Sequence, residues 1–181
     1  MRKGGRRNDW KVADERYLIE NAGRIPRREI CQRLRRSSES VKQKAKALRM
    51  QGIPVSLRHY RPRLEPCPSC GCLSGHLGRD GICEPCRRRE QLANIHAGIA
   101  ELLPRLPLDE RDTYEKTEAE TESRRDPMPK APNTEGLSYY ERAKAEEAHA
   151  LACEECLAGN LRREIKAAQK RKERISKKDN Q

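Results

Sequence analysis

The sequence predicts a mainly α protein built of small modules. A three-helix unit comes first, then a small four-cysteine module, then extended C-terminal helices. Three observations carry this reading. Apolar residues recur at helical spacing over residues 9–51 and again over 87–103. Between those stretches four cysteines stand as two Cys-x-x-Cys pairs. The composition is 34% hydrophobic and 38% charged, with no Phe in 181 residues, which is too little apolar volume for one core spanning the whole chain.

The first helix is expected from about Val12 to Asn21, with Trp10, Tyr17 and Leu18 apolar and Ala22-Gly23 ending it. Pro26 sits where a first helical turn accepts proline, so a short second helix follows over Arg27–Leu34. Ile30 and Leu34 lie four apart and share its buried face. Ser37 can cap a third helix over about Ser38–Met50. There Val41, Ala45 and Leu48 fall on one stripe, and Gly52 closes the helix. Residues 1–52 form the first expected domain, and residues 53–66 a basic, proline-punctuated linker.

Residues 67–103 form the next module. Cys67-Pro68-Ser69-Cys70-Gly71 is followed by Cys83-Glu84-Pro85-Cys86. Two such turns supply four thiolates, the donor set of a structural zinc site. Gly71 suits the turn, and Pro68 and Pro85 stiffen the two knuckles. The loop from Gly71 to Ile82 is polar and has little to hold its shape without a cross-link. One structural zinc per chain, on Cys67, Cys70, Cys83 and Cys86, is therefore expected; the alternative is disulfides or free thiols. Cys72 and His76 lie close enough to compete as ligands. Four thiolates leave no open position for water or substrate, so the site is expected to be non-catalytic. The two knuckles resemble those of a zinc ribbon, and a zinc-finger-like hairpin fits equally well.

Past the knuckles, Leu92, Ile95, Ile99 and Leu102 make an amphipathic stripe that Pro104 and Pro107 end. Residues 104–136 hold an acidic segment, with a short exposed helix over Asp109–Ser123, and then an extended Pro-rich linker. Residues 137–181 read as a charged helix with a basic tail, bent or interrupted at Gly159-Asn160. Leu151, Leu157, Leu161 and Ile165 are its main apolar surface. His149, Cys153 and Cys156 fall on one face, more simply as a packed seam than as a second metal site. Cys31 reads as a core or boundary thiol.

Net charge is +12, unevenly spread. Residues 1–63 hold 19 Lys/Arg against 6 Asp/Glu, and Leu161–Lys178 hold nine Lys/Arg against Glu164 and Glu173. A surplus confined to one small module implies a polyanionic partner, most commonly nucleic acid. The basic tail suits a solvated helix and a nonspecific nucleic-acid contact equally. No stretch approaches the length of a membrane span, and a cytoplasmic location is expected, nucleoid-associated in a prokaryote and nuclear in a eukaryote.

The first module resembles the homeodomain-like helix-turn-helix of the Myb/SANT type, in the form found singly in phage or mobile-element DNA-binding proteins. The residues that carry the resemblance are Trp10 with Asp14-Glu15 and Leu18, then Ile25-Pro26-Arg27-Arg28-Glu29-Ile30, then Arg36-Ser37-x-x-Ser40-Val41-Lys42-x-Lys44-Ala45. About a quarter of the chain is covered. Eukaryotic Myb repeats carry more tryptophans than the single Trp10 here. The resemblance implies that the third helix enters the DNA major groove. Its outward residues are then Ser38, Glu39, Lys42, Gln43 and Lys46. Gln43 suits an adenine edge, Glu39 a cytosine amino group, and the two lysines guanine or phosphate. Arg2, Lys3, Arg6 and Arg7 would form an arm in the minor groove.

Two functions follow as expectations. The first is a transcriptional regulator that binds duplex DNA, with its C-terminal helices binding a protein partner or a second copy. The second is a zinc-containing interaction adaptor docked on a transcription or replication complex, with auxiliary DNA contact. Neither reading includes a membrane or a small-molecule substrate. An enzyme is not expected: the chain has no Gly-rich phosphate loop, no His-Glu-x-x-His and no nucleophile elbow, and His59, His76, His96 and His149 are scattered.

Overall fold

A computed structural model describes residues 9–179, with the side chains of residues 115, 119, 122, 123 and 179 left undescribed. The described chain is mainly helical. Its helices are α1 (Val12–Asn21), α2 (Arg27–Leu34), α3 (Ser38–Met50), α4 (Glu84–Leu102), α5 (Leu108–Ser123) and α6 (Tyr139–Asp179). A two-stranded sheet, β1 (Glu65–Pro66) and β2 (Leu73–Ser74), is antiparallel, with Glu65 opposite Ser74 and Pro66 opposite Leu73. Among the described residues no helix is long and apolar enough to cross a membrane. The chain divides into two compact units. Among the described residues one comprises 9–62 and 132–147; the other comprises 63–131 and 148–179.

The first unit is organised by apolar burial. Leu18 from α1, Ile30 from α2 and Val41, Ala45 and Leu48 from α3 are wholly or almost wholly buried together. Each large side chain among them contributes roughly 1.5–3 kcal/mol by leaving water. The expected Ser37 cap is present, its Oγ accepting from the Ser40 amide at 3.2 Å. The turn between α2 and α3 places Arg35 in the left-handed region (φ 52°). Arg36 then reaches back to α1. Its guanidinium stacks 4.5 Å from the Trp10 ring centroid and donates to the Asp9 carbonyl and to Asp14. Lys44 pairs with Glu15 at 2.5 Å, tying α3 to α1. Trp10, Asp14 and Glu15 therefore work as a strut between helices.

The core does not stop at residue 52. Val55, in the segment expected as a linker, is buried in it, and Ile53 and Leu57 pack against it. Tyr60 donates its amide to the Gly23 carbonyl at 2.8 Å. The first turns of α6 also belong to this unit. The Arg24 guanidinium lies 4.2 Å from the Tyr139 ring centroid, and a Cβ on Gly23 (φ 86°) would meet Tyr139 and Tyr140 at 3.2–3.3 Å. A capping box starts α6: Ser138 donates its amide and hydroxyl to Glu141 Oε2 at 3.1 and 2.7 Å, and Glu141 donates its amide back to Ser138 Oγ at 3.4 Å.

In the second unit α6 runs unbroken past Gly159-Asn160, where a bend was expected. The side chain of Asn160 is engaged outside its own helix, which removes the reason for a break. It accepts from the Asp126 amide at 2.9 Å and donates to the Asp126 carbonyl at 3.0 Å. Leu161, Ile165, Ala168 and Ile175 are buried along this part of α6. Arg125 grips the buried Glu164 with two bonds, at 2.6 and 3.1 Å. Lys178 pairs with Glu110 at 2.8 Å and Arg162 with Glu84 at 2.6 Å, so part of the basic tail is neutralised within the unit.

Candidate metal centre and basic groove

The metal centre is built by two backbone turns and one helix start. In the first knuckle Gly71 donates its amide to the Cys67 carbonyl at 2.7 Å, and Cys67 donates to the Cys72 carbonyl at 2.9 Å. The turn needs a left-handed residue, supplied by Gly71 at φ 72°. Antiparallel β1 and β2 flank it. The second knuckle coincides with the first turn of α4: Cys83 is the residue before the helix, Pro85 sits in the first turn, and Cys86 follows. Ile82 donates to Asp80 Oδ1 at 3.1 Å, which shapes the approach.

These elements bring Cys67, Cys70, Cys83 and Cys86 together, their sulfurs all within 4.8 Å of one another. Among the described residues it is the one cluster of three or more such ligands. Cys67 and Cys83 are buried, Cys70 is exposed and Cys86 is half-buried. Electrostatics separate the sulfurs. A backbone hydrogen bond from Cys83 lowers the Cys67 thiol to about 6, whereas burial raises those of Cys83 and Cys86. The Cys83 amide lies 3.4 Å from Cys67 Sγ and stabilises a thiolate there. Cys67 is thus ready to bind a cation near neutral pH.

Neither competing ligand joins the cluster. Cys72 is exposed, and its thiol is raised by a side-chain hydrogen bond to Cys70. His76 is exposed, and its amide donates to Ser74 Oγ at 3.2 Å. Sequence reasoning missed Glu154 of α6. It accepts from the buried Ser74 hydroxyl at 2.5 Å and the Gly75 amide at 3.1 Å, anchoring the loop between the knuckles. A glutamate amid alternating charged helix residues carries no sequence signal for that role.

The face of α6 bearing His149, Cys153 and Cys156 is covered by the proline-rich segment. His149 Nε2 contacts the Pro129 carbonyl at 3.1 Å, and Cys156 Sγ donates to the Pro127 carbonyl at 3.5 Å. Cys153 lies 3.5 Å from His149 Nε2. Cys31 is half-buried against the first unit's core.

The second candidate surface is a basic groove on the first unit, about 460 Å³ in volume. Glu39, Lys42, Gln43 and Lys46 of α3 line it together, as helical spacing predicts for the side opposite Val41, Ala45 and Leu48. Ser38 is exposed at the start of α3 but does not line the groove. Arg2, Lys3, Arg6 and Arg7 lie outside the described residues. The sequence reading left out Arg27, Arg49, Ser56, Leu57 and Arg58 as lining residues. Arg49 was within reach of that reading, since it falls three and seven residues after Lys46 and Lys42. Arg58 was not, because its place depends on how residues 53–57 fold back.

Compared with models of protein families, with curated proteins and with solved structures, the chain matches none.

Proposed function

We propose that this protein is a duplex-DNA-binding regulator of the homeodomain-like helix-turn-helix class, stabilised by one structural zinc ion. The observation that carries the reading is the groove beside α3. Arg27, Lys42, Lys46, Arg49 and Arg58 converge there with a single carboxylate, Glu39, which lies 3.5 Å from Lys42. Five cations facing one concavity repel one another unless a polyanion neutralises them. Gln43, in the same groove, has both the donor and the acceptor needed to recognise an adenine edge. The basic N-terminal arm would add nonspecific grip.

Zinc suits the cysteine cluster by donor set and by distance. Tetrahedral Zn–S bonds of about 2.3 Å set sulfur pairs about 3.8 Å apart. Cys70 Sγ and Cys83 Sγ are 3.7 Å apart. With all four positions taken by thiolate, the ion would hold the loop and do no chemistry.

Selection of bound sites from random duplex DNA tests the regulator reading, followed by a panel of single-base variants. Gln43→Ala should lose about 1–3 kcal/mol of discrimination at one base position and little elsewhere. An unchanged preference would favour the adaptor reading, in which the second unit docks on a larger complex. A specific observation keeps that second reading in view. An almost wholly apolar cavity of about 290 Å³ lies beside the cysteine cluster, bordered by Leu73, Pro85, Ala150, Cys153 and Leu157.

A further inference from the structure

The basic groove has a second wall that α3 does not supply. After Gln51 and Gly52 the chain doubles back, with the Ile53 amide donating to the Leu48 carbonyl at 3.0 Å. Burial of Val55 fastens the returning segment to the core. Arg49 reaches from the last turn of α3 and donates to the Val55 carbonyl at 2.9 Å. The far end is fastened by Tyr60, whose amide bonds the Gly23 carbonyl at 2.8 Å. Residues 53–60 are therefore a strap held at both ends and in the middle. Ser56, Leu57 and Arg58 on that strap line the same groove as Lys42, Gln43 and Lys46.

We infer that this strap is a built part of the DNA-binding surface, in which Arg58 takes a backbone phosphate while α3 faces the bases. The inference rests on the DNA-binding reading above and extends it to a named contact. Three features argue for it. Among the described residues Arg58 makes no close ion pair; the carboxylate that feels its charge is Glu141, which is itself held by Ser138. Its guanidinium is 6.0 Å from the Tyr140 ring centroid, an aromatic shelf that limits where it can swing. Arg49 gives a hydrogen bond to the strap's own carbonyl and is thereby a positioning residue. A guanidinium held at a fixed offset from a groove-facing helix sets the register of protein on duplex, which is the work of phosphate contacts.

The test uses the full chain and a fluorescent mixed-sequence duplex, titrated over a range of salt. Arg58→Ala should weaken binding about fivefold at physiological salt and reduce the log–log salt slope by about one, the signature of one lost phosphate contact. Its thermal melt should be unchanged. Arg58→Lys, which keeps the charge, should restore the slope. A double change, Lys42→Ala with Lys46→Ala, separates the two levels of the argument. If that pair weakens binding and Arg58→Ala leaves affinity and slope as in the parent, the strap inference falls and the α3 reading stands. If Arg58→Ala lowers the melt and the affinity but not the slope, Arg58 only holds the strap, and the inference falls again. If the double change is without effect, or the parent does not bind duplex DNA, the DNA-binding reading fails and takes the strap with it.

Discussion

The N-terminal helices and the cysteine knuckles are both small, yet their order has different sources. In the first unit, five side chains from three helices close an apolar core, and Val55 completes it. In the knuckles, the buried groups are Cys67, Cys83, Ser74 and Pro85: two sulfurs of the cluster, a hydroxyl held by Glu154 and a single apolar ring. Apolar burial is nondirectional and tolerates changes of shape. A four-thiolate centre is directional and fails when one donor is lost. With the proposed zinc bound, one unit should weaken gradually and the other should fail at a single atom.

The sharpest way to break this contrast is at the metal. Cys70→Ser should bring the zinc content from one per chain to near zero and unfold residues 66–90, because binding free energy at such sites is folding free energy, of order 10 kcal/mol. Hydrogen exchange should show the loss confined there, with α1–α3 still protected. Metal content near zero in the parent protein, with the knuckles still folded, would contradict the proposal.

The reverse experiment is Leu48→Ala. It removes a fully buried side chain and should destabilise the first unit by about 2–5 kcal/mol, read by denaturant melts. Zinc content should not change. If zinc is lost as well, the two units do not fold independently.

Glu154→Ala sharpens the account of the knuckles. It strips the buried Ser74 hydroxyl and the Gly75 amide of their acceptor and should cost about 1–3 kcal/mol. Zinc should still bind, but exchange to a chelator should quicken. An unchanged exchange rate would mean that the metal alone sets the loop.

The smallest effect is expected at Ser138. Ser138→Ala removes the capping box at the start of α6 and should cost about 1 kcal/mol. The Glu141 carboxyl is held below its usual range, chiefly by the Ser138 hydroxyl and then by the Ser138 amide. A lowered carboxyl stabilises above its unfolded value and loses that contribution as pH falls through its folded value. The difference between parent and Ser138→Ala in thermal melts should therefore be present at neutral pH and shrink in acid.

Much of the fold was legible in the residues themselves. The stripe of Val41, Ala45 and Leu48, the Ser37 cap and Pro26 bound α2 and α3, because helix ends and buried faces are set by local spacing and local hydrogen bonding. The cysteine cluster was legible for the same reason: each Cys-x-x-Cys pair is a single turn. What local pattern could not reach were contacts between residues far apart in sequence. Asn160 read as a helix breaker until its amide met Asp126; residues 53–60 read as a linker until Val55 met the core and Arg49 met its carbonyl; Glu154 carried no signal until it met Ser74, 80 residues away. The positions of most helices and the pairing of the four cysteines follow from neighbours along the chain, so the residues alone reveal them. Which polar side chains hold one segment to another emerged with the folded chain, because a hydrogen bond across tens of residues leaves no periodicity behind.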